Sequence, residues 1–105
     1  MTEYPTFVSH LECSYTGKTY PADQLYGLSE AGKPLLVRYD LEALAKGVSK
    51  DNLVSRPAEF WRYREFLPVR RSENVVRLGE LMTPILPANK LEKELGSGSI
   101  LIKDE

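Results

Sequence analysis

The chain has 105 residues, 42% hydrophobic and 28% charged, and its 14 basic and 15 acidic side chains leave a net charge of −1. That length fits one small domain, and the near balance of charge supplies no global field for nucleic acid or an anionic membrane. A lone cysteine excludes an internal disulfide framework, the N-terminus lacks a signal-peptide pattern, and no stretch approaches the roughly 20 apolar residues that cross a bilayer, so a cytoplasmic protein is expected.

Residues 1–40 read as a ribbon-like region of short β-hairpins. Phe7 to Glu12 begins apolar and then partly alternates, Cys13 to Lys18 has the composition of a tight turn, and Thr19-Tyr20 starts a return strand. Pro21 removes a donor, so pairing there should be short or at an edge. Glu30-Ala31-Gly32-Lys33-Pro34 is a second turn that feeds Leu35 to Tyr39, the clearest strand of this half.

Residues 41–77 read as helical. Asp40 is placed to cap free backbone N–H groups, Leu41, Leu44 and Ala45 fall on one helical face, and Gly47 suits a C-terminal stop. Ser49 to Leu53 adds a further helical turn. Pro57 fits a first helical position, after which Phe60, Tyr63, Arg64 and Leu67 share a face until Pro68. Glu73 to Leu78 then reads as a short strand or an extended link.

Residues 78–105 read as the start of an α/β unit. Thr83-Pro84-Ile85-Leu86-Pro87 must be extended, because each proline pushes the residue before it away from helix. Ala88 to Leu95 is a short helix with Gly96 at its end. Ile100-Leu101-Ile102 reads as a buried strand of the parallel-sheet kind, which would need neighbours on both sides. With the chain stopping at Glu105, that strand is expected to be an unfinished apolar edge. The fold class expected from the whole is α+β.

Few residues suggest chemistry by themselves. A nucleophilic Cys13 would need a histidine base, yet His10 lies three residues earlier, on the opposite face of a strand. A half-buried, idle thiol is the expectation. Between Arg56 and Arg77 lie six arginines and three glutamates. Interleaved with Phe60, Trp61, Tyr63 and Phe66, they form the kind of pattern that stacks on nucleic-acid bases. The balanced total charge argues instead for rings on the core and guanidinium groups at the rim.

Several motifs in order carry a family resemblance from about Leu11 to Glu105. They are Gly17-Lys18-x-Tyr20, Pro34-Leu35 with Tyr39-Asp40, Trp61-Arg62-Tyr63, Gly79-Glu80-x-x-Thr83-Pro84 and Lys103-Asp104-Glu105. Together they resemble the N-terminal part of threonine synthase, a pyridoxal-phosphate enzyme of the tryptophan synthase β-like superfamily. Cysteate synthase shares the same opening segment. The resemblance implies a full-length lyase converting O-phosphohomoserine and water to threonine and phosphate, with the cofactor as electron sink. Its cofactor lysine lies in an Asn-Pro-x-Gly-Ser-Phe-Lys segment that would follow Glu105. No catalytic, cofactor-binding or metal residue is therefore expected here, and Thr83, Lys103 and Glu105 are expected beside the active site. The implied partners are the remainder of the enzyme and, at full length, a second subunit.

Relatives carry two Cys-x-x-Cys-Gly zinc knuckles where this chain keeps only Cys13, with Thr16, Leu28 and Ala31 at the other cysteine positions. One thiolate cannot supply a tetrahedral zinc site. The expectation is a metal-free ribbon held by apolar packing. The alternative reading is a free-standing ribbon-like module that binds a protein or nucleic acid.

Overall fold

A computed structural model describes residues 5–105. Strand β1 (Val8–Cys13) is the centre of a three-stranded antiparallel sheet, flanked by β2 (Thr19–Pro21) and β3 (Leu35–Tyr39). The turn into β2 closes with the Gly17 N–H donating to the Cys13 carbonyl at 3.0 Å. Gly17 has φ +77°, a conformation that side chains disfavour. As Pro21 requires, β2 is three residues long and lies at the edge.

The Asp40 carboxylate accepts from the Ala43 N–H at 3.0 Å and starts α1 (Leu41–Gly47). Ser49 and Asn52 exchange side-chain and backbone hydrogen bonds in a capping box that starts α2 (Lys50–Val54). Two expectations for α1 fail. Leu44 alone of the predicted face is buried, whereas Leu41 and Ala45 are exposed, because a helix of seven residues with few tertiary contacts buries little more than one side chain. Gly47 is the last helical residue and not a left-handed cap. A Cβ there would lie 2.6 Å from Phe7 Cζ, so its role is to admit the Phe7 ring.

Pro57 does not open the next helix. Glu59 stays extended, bridged to Leu81, and Phe60 donates its N–H to the Glu80 carbonyl at 3.4 Å. A 3-10 helix then runs over Phe60–Phe66, with a kink at Tyr63. That winding alters the helical period, and the side chains it buries are Trp61 and Glu65 in place of Phe60 and Tyr63. A second 3-10 turn, Ser72–Asn74, leads into extended chain.

The last third is β4 (Ile85–Pro87), α3 (Asn89–Leu95) and β5 (Leu101–Lys103). Gly96 caps α3 in the left-handed region at φ 60°. Contrary to the parallel-sheet expectation, β4 and β5 pair antiparallel, because α3 returns the chain as a hairpin without crossing over. As expected of an uncovered apolar edge, Leu101 is 63% and Ile102 50% exposed. The fold class is α+β. Among the described residues no helix is long and apolar enough to cross a membrane.

Buried apolar side chains are sparse: Cys13, Leu44 and Trp61. The radius of gyration is 18.1 Å, against about 13 Å for a compact chain of this length. Accessible area is 8053 Å², against roughly 6,000 Å² for a folded monomer of this mass. Exposed apolar side chains include Ile85, Leu86, Leu95, Leu101 and Ile102, all open on the β4–α3–β5 unit.

Candidate functional site

The antiparallel register sets Ile85 opposite Lys103, which brings the residues just before β4 and just after β5 to one end of that hairpin. Thr83, Lys103 and Glu105, far apart in sequence, therefore meet. The Lys103 ammonium donates to the Thr83 carbonyl at 3.0 Å and to the Thr83 hydroxyl. The Thr83 hydroxyl in turn donates to Glu105 Oε1 at 3.1 Å, and Lys103 Nζ lies 3.7 Å from the same carboxylate.

This cluster floors a cleft of about 410 Å³ whose opposite wall is the start of the 3-10 helix, with Phe60 and Tyr63, and whose rim carries Glu59, Glu80 and Met82. Gly79 at φ +89° makes the bend that turns this rim. The left-handed position falls on Gly79, so Leu81 is under no such strain. The Leu78 N–H donates to the Glu80 carboxylate at 2.8 Å, and this bond, aided by the residue's own N–H, holds Glu80 below the ordinary carboxyl range. Glu59 is gripped by Arg77, the nearest approach 3.0 Å.

Glu80 and Glu105 thus share this cleft with the Lys103 ammonium, which donates twice to Thr83 and lies 3.7 Å from Glu105, while Glu59 is paired with Arg77. Such a cleft suits neither the phosphate of pyridoxal phosphate nor an imine-forming lysine, which must present a free amine. The residues present do not fit that cofactor. Sequence reasoning missed Glu59, Phe60, Tyr63 and Glu80 as cleft residues. Periodicity assigned Phe60 and Tyr63 to the core, and no spacing relates them to Lys103.

The turns around Cys13 and Ser29 also meet. Thr16 N–H points at Cys13 Sγ at 3.4 Å, Lys33 N–H donates to Ser29 Oγ at 3.3 Å, and the two side chains meet with Sγ 3.1 Å from Oγ. A buried Cys13–Ser29 hydrogen bond, and not apolar packing, joins the two turns. Leu28 is 62% exposed. The Ser29 hydroxyl, then the Thr16 side chain and N–H, draw the Cys13 pKa down to about 6 from 9.0. Among the described residues no group of three or more His, Cys, Asp or Glu side chains converges as a metal site would require. Among the described residues the His10 ring meets the neighbouring Ser9 hydroxyl, at 2.9 Å, and no contact joins it to Cys13.

The arginine-rich stretch folds into ion pairs: Arg56 and Arg64 with Glu65, Arg70 with Asp23, Arg71 with Glu73 and Arg77 with Glu59. Arg62 donates to the Arg56 carbonyl at 2.6 Å. Of these acidic partners only Asp23 lies outside the stretch, so most of its local positive excess remains, carried by arginines that are about half exposed.

An α+β chain with a three-stranded antiparallel sheet and a polar cluster closing a β4–α3–β5 hairpin is the class these features define. By sequence, the chain is similar to threonine synthase of Methanocaldococcus jannaschii: 40% identical over 93 residues, which is 89% of this chain and 23% of that relative. The chain therefore spans about a quarter of the length of the curated relative it matches. No family model matches it. No solved structure matches it either.

Proposed function

We propose that this chain is the N-terminal part of a threonine synthase-like enzyme, acting as a support for the catalytic body and not as a catalyst. The 40% identity to an archaeal threonine synthase, extending over 89% of the chain, carries the reading. The physical state of the molecule supports it. Leucine and isoleucine side chains on β4, α3 and β5 are open to solvent, and burying them against further polypeptide would supply the apolar area that this fold lacks.

In the complete enzyme, O-phosphohomoserine and water would give threonine and phosphate, and pyridoxal phosphate would supply the carbanion stabilisation. The cofactor and its lysine would belong to the rest of the protein. The contribution of this chain's own residues would be mechanical. Lys103 and Glu105, locked to Thr83, would hold the end of β5 at a fixed distance from the Glu80 rim.

A chimera tests this. The matching segment of the archaeal threonine synthase is replaced by this chain, and phosphate release from O-phosphohomoserine is measured. Retained turnover is expected, with no stable aldimine absorption from the isolated chain mixed with pyridoxal phosphate. A chimera that folds and binds cofactor yet releases no phosphate would refute the assignment.

A further inference from the structure

A cleft of about 630 Å³ lies where the loop after β2 meets the chain leaving the 3-10 helix, and the proposed function makes no use of it. Leu25, Pro68 and Val69 give it apolar walls, and its charged side chains are Arg70, Arg71 and Asp23. Arg70 donates to Asp23 through Nε alone. Among the described residues its two Nη groups meet no protein acceptor. Arg71 is paired with Glu73 at 2.6 Å, and the two arginine side chains are 43% and 47% exposed.

We propose that this cleft binds a phosphomonoester with an apolar body, its dianion gripped end-on by the Arg70 Nη groups beside Arg71 and its body laid on Leu25, Pro68 and Val69. The planar edge formed by Nη1 and Nη2 matches two phosphate oxygens at once, and the contact to Asp23 leaves that edge open. An ion pair as exposed as Arg70–Asp23 stabilises little, so a ligand can share the arginine without loosening the fold. A phosphomonoester carries nearly two negative charges at neutral pH and draws on the guanidinium more strongly than one carboxylate does. The cleft lies in the usual size range of small-molecule sites and is far roomier than a bare phosphate needs. Its apolar walls would leave the charged head of a phosphorylated amino acid unpaired, which separates this ligand from O-phosphohomoserine. One fork is not the repeated track that a nucleic-acid backbone requires. The inference stands on residues 23–25 and 68–71 and is independent of the reading of β4–β5.

Calorimetric titration of the 105-residue chain with phenyl phosphate tests it, at about pH 8 so that the ligand is a dianion. Saturable binding is expected, about fivefold or more tighter than that of inorganic phosphate, because the ring adds apolar burial. Arg70→Ala should weaken it about tenfold, the scale of a lost charge-assisted grip. Arg38→Ala removes a comparably exposed guanidinium from β3 and should change the affinity by less than about twofold. Absence of saturation overturns the proposal, as do equal losses from the two variants, which would mean diffuse charge attraction. Inorganic phosphate or O-phosphohomoserine binding as tightly as phenyl phosphate would remove the apolar body, and a short single-stranded oligonucleotide binding more tightly would replace the small ligand with nucleic acid. Each of these results overturns the proposal and leaves the chimera experiment unaffected.

Discussion

The Arg56 guanidinium holds the Glu65 carboxylate in a two-pronged grip, Nη1 to Oε2 at 2.8 Å and Nη2 to Oε1 at 2.6 Å. Glu65 is 5% exposed, and the same arginine also donates to the Arg62 carbonyl at 2.7 Å. The pair ties the link after α2 to the 3-10 helix. It replaces hydrophobic packing that the short helices cannot provide.

Removing one member of such a pair strands the other. Arg56→Ala should cost about 3 kcal/mol in urea unfolding, because the buried carboxylate is left with only the 3.7 Å approach of Arg64. The double variant Arg56→Ala/Glu65→Ala should cost less than the two single losses added together. Strictly additive losses would show that the grip is not an energetic unit.

Acid should weaken the protein through the same residue. The Arg56 hydrogen bond, against the opposing effect of burial, lowers the Glu65 pKa below its ordinary 4.5. A depressed carboxyl stabilises fully above its unfolded pKa and loses that contribution as pH falls towards the folded value. The melting temperature should therefore drop as pH is taken below about 4.5. Glu65→Gln should show a shallower dependence in the same range.

Gly47→Ala has an unusual expected sign. In an exposed helix interior the change favours stability by up to about 1 kcal/mol. Here the new Cβ would meet Phe7 Cζ at 2.6 Å, and overpacking of that kind costs about 1–3 kcal/mol. Net destabilisation is expected in thermal unfolding. In a Phe7→Leu background the same change should become neutral or favourable, and persistence of the loss there would contradict the steric account.

Cys13 should titrate near pH 6, followed by thiolate absorbance, with Ser29→Ala moving the midpoint towards 9.0. When the thiol ionises, the Ser29 hydroxyl turns to donate to sulfur, which is the largest cause of the shift. An unchanged midpoint in Ser29→Ala would remove the hydroxyl from the explanation. Alkylation should stay slow even above that pH, because Cys13 is 2% exposed.

How much of this was legible in the chain depends on the range of the interaction. The Asp40 cap, the Ser49 turn, the edge position of Pro21 and the stop at Gly96 rest on local backbone chemistry and could be read from adjacent residues. The motif series singled out Thr83, Lys103 and Glu105 without relating them to one another, and their mutual contact follows only from the antiparallel register of β4 and β5. The direction of β5 was misread because a short aliphatic run is the same signal in parallel and antiparallel settings. The face of the 3-10 helix was misread because a period of 3.6 was assumed where the chain winds more tightly and kinks at Tyr63. Ser29 escaped notice because knuckle spacing drew attention to Leu28, one residue away.

Thr6 and Phe7, near the start of the described chain, act on its middle. The Thr6 hydroxyl donates to the Leu67 carbonyl, the Phe7 N–H reaches the Glu65 carbonyl at 3.3 Å, and the Phe7 carbonyl receives the Asp40 N–H at 2.9 Å. Three regions are laced together by two consecutive residues. Proteolytic trimming past Phe7, or a bulky fusion tag abutting it, should consequently loosen the 3-10 helix and the α1 cap together, well away from the site of the cut.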